Sequence, residues 1–238
     1  MPLPKISTPT YELEIPSTKK KIRYRPFLVK EEKILIIAME SQSDTEIANA
    51  VKDVLSTCIL TKDVKVDTLS TFDIEYLFLN IRGKSVGEDV EVLVTCPDDN
   101  KTKVPVRINL DDIKIITHND HKRDIKLDDS LLMRMRYPSI NEFIKSNFST
   151  SEVKSEDTFD LIISCIEQIY NDEESWSTSD CTKEEMNDFL DQLNSNQFKE
   201  IEKFFDTMPK LSHTLTVNNP NTKVKSDVKL EGLAAFFA

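Results

Sequence analysis

Residues 71–113 constrain the fold more than any other stretch. They read TFDIEYLFLNIRGKSVG, then EDVEVLVTCPDDNKTKVPVRINLDDI. In the first half Ile74, Leu77, Phe78 and Ile81 recur at three- and four-residue steps, the spacing that lines up one face of a helix. Ser70 with Asp73 supplies a start signal of capping-box type. Gly83 and Gly87 are expected to break the helix. The second half alternates: Val90, Val92 and Val94 share one side, Pro97-Asp98-Asp99-Asn100 turns the chain, and Val104, Val106 and Ile108 return. A period of two with one apolar side predicts a β-hairpin, dry on one face and wet on the other. This helix and hairpin are expected to form the first packing unit, with most other segments arranged around it.

Upstream, residues 1–10 carry Pro2, Pro4 and Pro9 and read as an extended arm that includes Ile6. Such an arm is either frayed or an interaction strand. Tyr11, Leu13 and Ile15 alternate, Pro16-Ser17-Thr18 turns, and Ile22 and Tyr24 alternate back, which predicts a hairpin. The Lys19-Lys20-Lys21 run at its tip reads as a solvated turn, with a site for phosphate or an acidic partner as the alternative. VKEEKILIIAMES predicts a helix with Ile34, Leu35 and Ile37 facing inward, and Glu31 and Glu32 complementing its dipole. Ser43 and Glu46 form a capping box for a second helix, through Ile47, Val51, Val54, Leu55 and Cys58.

Downstream, THNDHKRD at 117–124 reads as an exposed polar loop. His118 and His121 lie there, but a zinc site needs two further donors, and Asp120 and Asp124 are only formally available. Two strands are expected around Asp128-Asp129, at 125–127 and 131–135. DTFDLIISCIEQIY predicts one helix with Phe159, Ile162, Ile163, Ile166 and Ile169 on a wide face. NDEESWSTSD reads as a loop holding Trp176, which either packs back on its own domain or anchors an interface. Capping signals at Thr182/Glu185 and Asn194 or Ser195 predict two more helices, the second ending before Pro209. A final hairpin turns at Asn218-Asn219-Pro220-Asn221, and Leu230 leads into Leu233, Phe236 and Phe237.

The fold class is therefore α+β, a helical core with β-hairpins. The 238 residues allow one large domain or two small ones. The polar stretch 149–157, STSEVKSED, divides an N-terminal α+β domain (1–148) from a helical C-terminal region (149–238), with a single domain as the alternative. A net charge of −11 disfavours general nucleic-acid binding. With only 3 glycines the chain cannot build a Gly-rich phosphate cradle. Cys58, Cys96, Cys165 and Cys181 lack paired spacing and read as free thiols of a reducing compartment. No apolar run has the roughly 18–20 residues a membrane span needs, and the N-terminus has no apolar core of a signal peptide.

The opening PLPKISTPTYELEIPSTKKKIRYRPFLVKEEKILIIAME, the phrase FDIEYLFLNIRGKSVGE, the Cys96-Pro97 hairpin, and FDTMPKLSHTLTV with VKLEGLAAFF resemble the T4-type bacteriophage baseplate protein family, the family of the baseplate hub assembly subunit. The resemblance spans nearly the whole chain. It implies a contractile-tail phage protein needed to build the central hub of the baseplate, found in the host cytoplasm during assembly or in the virion tail. It also implies hub and tail proteins as partners, while the charge and hydropathy lead us to expect neither nucleic acid nor membrane.

The last hairpin resembles the central one: Thr102-Lys103-Val104 matches Thr222-Lys223-Val224, and Leu110-Asp111 matches Leu230-Glu231, both at an offset of 120 residues. The resemblance implies that some relatives carry CPxCG-type turns at these hairpins, as in a zinc ribbon. Here Cys96 is the single cysteine across both turns, short of the four donors that structural zinc takes. The expectation is two degenerate zinc-ribbon-like hairpins without metal.

Three classes of function follow. A hydrolase or other enzyme would need a nucleophile elbow, a zincin helix or paired carboxylates, and none is present, so no catalytic, cofactor or metal residue is assigned. A degenerate zinc-ribbon nucleic-acid module conflicts with the charge and the missing ligands. A protein–protein assembly component fits best. Its candidate partner-binding residues are Pro4 and Ile6 of the arm, Trp176, and Phe236 and Phe237 at the C-terminus.

Overall fold

The computed structural model describes residues 6–142 and 155–231. In chain order the elements are β1 (Tyr11–Glu14), β2 (Lys21–Tyr24), α1 (Val29–Glu40), α2 (Asp44–Cys58), α3 (Thr71–Val86), β3 (Asp89–Thr95), β4 (Lys103–Asn109), β5 (Lys114–Ile116), β6 (Asp124–Lys126), β7 (Leu132–Met135), α4 (Ser155–Cys165), β8 (Ile166–Tyr170), β9 (Ser175–Ser177), α5 (Lys183–Asp191), α6 (Ser195–Thr207), β10 (Lys210–Asn218) and β11 (Lys225–Glu231). The fold is α+β, with antiparallel hairpins throughout. Two compact units form: Met1–Ile116 with Lys210–Ala238, and Thr117–Pro209. The boundary expected at 148/149 lies outside the described residues.

In the first unit the central helix and hairpin form as the periodicity predicts. Ile74, Leu77, Phe78 and Ile81 are fully buried on α3, and Val90, Val92 and Val94 are buried on β3, which pairs in register with β4. The helix runs through Gly83 and ends only at Gly87, whose φ of 119° a side chain would strain. Gly83 stays helical because α3 is held on both sides of it; a Cβ there would sit 3.6 Å from the Leu110 side chain. The Ser70–Asp73 signal is also realised differently. The Ser70 hydroxyl donates to the Asp73 carboxylate, which also accepts the Ser17 backbone N–H at 2.9 Å and the Ser17 hydroxyl. Asp73 thus ties the start of α3 to the turn of the β1–β2 hairpin.

The last hairpin, β10–β11, packs its Leu211, Leu215 and Val217 against Val90, Val92, Val94 and Ile108 of the central one, while β10 also pairs with β5. Both turns open with the same backbone form. The Asn100 N–H donates to the Cys96 carbonyl and the Lys223 N–H to the Asn219 carbonyl, each at 2.9 Å, and Asn100 and Lys223 both have positive φ. Asn219 therefore stands where Cys96 does and Pro220 where Pro97 does. This alignment has an offset of 123 residues where the sequence match had 120. The first turn is one residue longer than the second, so the strands resume at an offset of 122, and the shared Thr-Lys-Val strings do not occupy equivalent positions. The two turns also meet. The Asn219 amide donates to both oxygens of Asp98 at 3.0 and 3.1 Å, the Thr222 hydroxyl donates to the same carboxylate, and the Asn221 amide donates to the Thr102 hydroxyl at 3.0 Å. Bonds from Thr222 and Asn219 hold the Asp98 carboxyl below the usual carboxylate range.

In the second unit the sheet order is β6-β7-β8-β9. Its core joins Met133, Met135, Ile162, Ile166, Ile201 and Phe204. The single helix expected over 157–170 is corrected here: α4 stops at Cys165, and Ile166–Tyr170 is a strand that pairs with β7 and β9. Ile166 and Ile169 are three residues apart, a helical step, and a register shift between Arg134 and Met135 lets the strand bury both, Ile166 opposite Met135 and Ile169 opposite Met133. The segment around Trp176 is likewise not all loop, since Trp176 lies on β9 opposite Ile169. α5 and α6 begin as their capping signals predict: the Glu185 carboxylate accepts the Thr182 N–H at 2.7 Å, and the Gln197 side chain accepts the Asn194 N–H at 2.8 Å.

Candidate interaction surface

The most unusual surface belongs to α1. This helix packs on α2 through a narrow strip, Glu31, Leu35 and Ala38, spaced four and three residues apart. The inward assignment of Ile34 and Ile37 is therefore corrected: Ile34 is 45% and Ile37 66% exposed, Ile36 is 49% and Met39 41% exposed, and Leu28 and Val29 are also open to solvent. ILIIAM is a run of six apolar residues, and a helix lying on one neighbour can cover only about a third of its circumference. A helix apolar on all sides is normally a buried one. The all-round apolarity was visible in the sequence; which three residues turn inward was not.

The seating of α1 is electrostatic. Glu31, 2% exposed, accepts from Arg25 Nη2 at 2.9 Å and from the Leu28 backbone N–H at 2.7 Å, and Lys30 Nζ lies 3.3 Å away. Burial alone would raise its pKa, but the Arg25 and Leu28 hydrogen bonds outweigh that and hold the carboxyl at about 2. Glu31 thus does more than complement the helix dipole: it caps the first turn and fixes α1 to the β2–α1 connection. The result is a helix anchored at its first turn that presents Ile36 and Ile37 outward.

The groups an enzyme would need are placed otherwise. All four cysteines are free thiols. Burial pushes Cys58 up to about 11 and Cys165 up to about 12, and also raises Cys96, so these are inert, protonated thiols. His121 has its ring nitrogens 3.0 Å from the Thr207 hydroxyl and 3.0 Å from the Tyr137 hydroxyl, and it packs on Phe204. Burial, with Arg123 and His118 nearby, lowers its pKa. His118 is exposed. Among the described residues, no group of three or more His, Cys, Asp or Glu side chains could hold a metal ion, and no helix is long and apolar enough to cross a membrane. A cleft of about 400 Å³ in the first unit is lined by Glu14, Lys19, Tyr76, Asn80, Asp111 and Lys114 among others, and by neither histidine nor cysteine.

Of the residues singled out in the sequence, Ile6 is 93% exposed and Trp176 is 42% exposed on an edge strand. Pro4, Phe236 and Phe237 lie outside the described residues. Ile6 and Trp176 belong to different units. Compared with known proteins, residues 8–238 match the family described as T4 bacteriophage base plate protein. No curated protein and no solved structure matches the chain.

Proposed function

Because the chain belongs to the T4 bacteriophage base plate protein family, we propose that it helps build the central hub of the baseplate by offering the outer face of α1 to a neighbouring subunit. Membership makes it a phage baseplate protein, acting in tail assembly without catalysis of its own. The single observation that supports the finer reading is the exposed row of Ile34, Ile36, Ile37 and Met39. Apolar side chains clustered in this way on an anchored helix mark a surface that an assembly covers. The work is done in the host cytoplasm, by a hub subunit or an assembly factor; mass spectrometry of purified tails separates those two roles.

Ile37→Glu is expected to leave the circular dichroism spectrum, and the melting curve of dilute protein, unchanged, because Ile37 faces solvent in the single chain. It should strongly reduce co-purification with hub proteins from infected cells. Undiminished recovery would remove α1 from the function. Ile6 and Trp176, with Pro4, Phe236 and Phe237, are secondary contact points in this reading. Deleting 1–10, or changing Phe236→Ala with Phe237→Ala, should weaken hub binding and leave the core folded.

The paired hairpins carry a second part of the reading, a ribbon shape that has lost its metal. Their turns share a backbone form, and hydrogen bonds from Asn219 and Thr222 to Asp98 join them. Elemental analysis of the purified protein is expected to give well under one zinc per chain, and a stoichiometric value would refute the loss.

A further inference from the structure

The exposed face of α1 has an internal symmetry. Reversal of the helix about the point between Ile36 and Ile37 carries Ile36 onto Ile37, Ile34 onto Met39 and Lys33 onto Glu40. It also carries inward-facing Leu35 onto inward-facing Ala38, so the outer face maps onto the outer face. Lys33 and Glu40 are seven residues apart, nearly two turns, and both lie along the middle of the exposed side. Among the described residues neither has an ion-pair partner. Glu40 is moreover the last residue of the helix, where the negative end of the helix dipole disfavours a carboxylate.

We propose that this face is covered by a second copy of the chain, with the two α1 helices antiparallel about a two-fold axis between Ile36 and Ile37. This deepens the reading of α1 as an assembly surface and rests on it. In the antiparallel arrangement each Lys33 faces Glu40 of the other copy at both ends, and Ile36 and Ile37 of both copies close the centre. Ile34 and Met39 border the seam. The carboxylate that opposes its own helix dipole then lies beside the partner's ammonium group. A parallel pair would instead set Lys33 against Lys33 and Glu40 against Glu40, so the charges select the orientation. The interface is isologous, as a two-fold dimer requires. One helix face per copy is small beside a standard interface of roughly 1,600 Å² in total, so the dimer is reversible and concentration-dependent.

Sedimentation velocity over a concentration series tests this on the full chain. Wild type should pass from monomer to dimer as concentration rises. Ile37→Glu should remain monomeric. Lys33→Glu alone and Glu40→Lys alone should each weaken the dimer by about tenfold or more, because like charges then meet twice. An equimolar mixture of these two variants should dimerise as well as wild type, since opposite charges meet again at both ends, and so should the Lys33→Glu, Glu40→Lys double variant. A wild-type protein that stays monomeric throughout, or variants that do not rescue one another, would overturn the proposal. If no dimer forms but Ile37→Glu still loses hub recovery, only the identity of the occupant fails. If the dimer forms and hub recovery is unaffected by Ile37→Glu, it is the hub reading that fails.

Discussion

Replacing Glu31 with alanine is expected to destabilise the protein by about 3 kcal/mol, the cost typical of removing one member of a buried ion pair. Arg25 then keeps a charge at a largely buried site with no carboxylate, and the Leu28 N–H loses its acceptor. Chemical denaturation of wild type and variant measures the difference. Replacing both partners, Arg25→Met with Glu31→Leu, should cost less than the single change, because no unpaired charge remains and chiefly the amide of Leu28, about 1 kcal/mol, is left unsatisfied. The pH dependence has a definite sign. The folded pKa of Glu31, about 2, lies below the ordinary value of 4.5. Its contribution is therefore fully present above pH 4.5 and is lost as pH falls from there through about 2, where the unfolded chain binds the extra proton. The shift corresponds to roughly 3 kcal/mol. Glu31→Gln should flatten the acid limb of the stability curve in that window, and an unaltered limb would show that the pair is not formed. Since Glu31 also seats α1, the same variant should weaken dimerisation without any change on the exposed face.

Asp73→Ala should have an effect of similar size, about 3 kcal/mol, for a different reason. Asp73 has no exposed surface and accepts three hydrogen bonds, from the Ser17 N–H, the Ser17 hydroxyl and the Ser70 hydroxyl. Hydrogen bonds to a charged acceptor contribute about 1.5–3 kcal/mol each, and part of that is recovered because water reaches Ser17 in the variant. Asp73→Asn keeps the volume but can turn only one oxygen to these donors, so an intermediate loss is expected. Ser17→Ala removes one hydroxyl and should cost about 1 kcal/mol. A double-mutant cycle between Ser17 and Asp73 should show coupling of about 1 kcal/mol or more. A loss below about 0.5 kcal/mol for Asp73→Ala would mean that the β1–β2 turn is not held to α3 in solution.

Local signals suffice where a single interaction decides the outcome. The caps at Thr182 and Asn194, the alternation of Val90, Val92 and Val94, and the Asp128 turn all involve neighbours within a few residues. Where the structure departs from the local signal, the cause is a contact distant in sequence. At Ile166–Tyr170 the three-residue apolar step reads as helix, and pairing with β7 across a register shift makes it a strand. Gly83 looked like a helix end and is an interior position. In α1 the apolar residues outnumber the inward places, so no period could show which of them α2 would cover.

The sequence by itself determined the α+β class, most element positions and, through its resemblance, the baseplate family. These rest on short-range periodicity, turn chemistry and extended motif strings, all carried by residues near one another in the chain. Only the tertiary structure decided that Ser17 meets Asp73, that Asp98 meets Asn219 and Thr222, and that Ile36 and Ile37 stay in solvent. Those outcomes depend on which surfaces come together across scores of residues, and a chain's local preferences hold no record of what remains uncovered once its core is full.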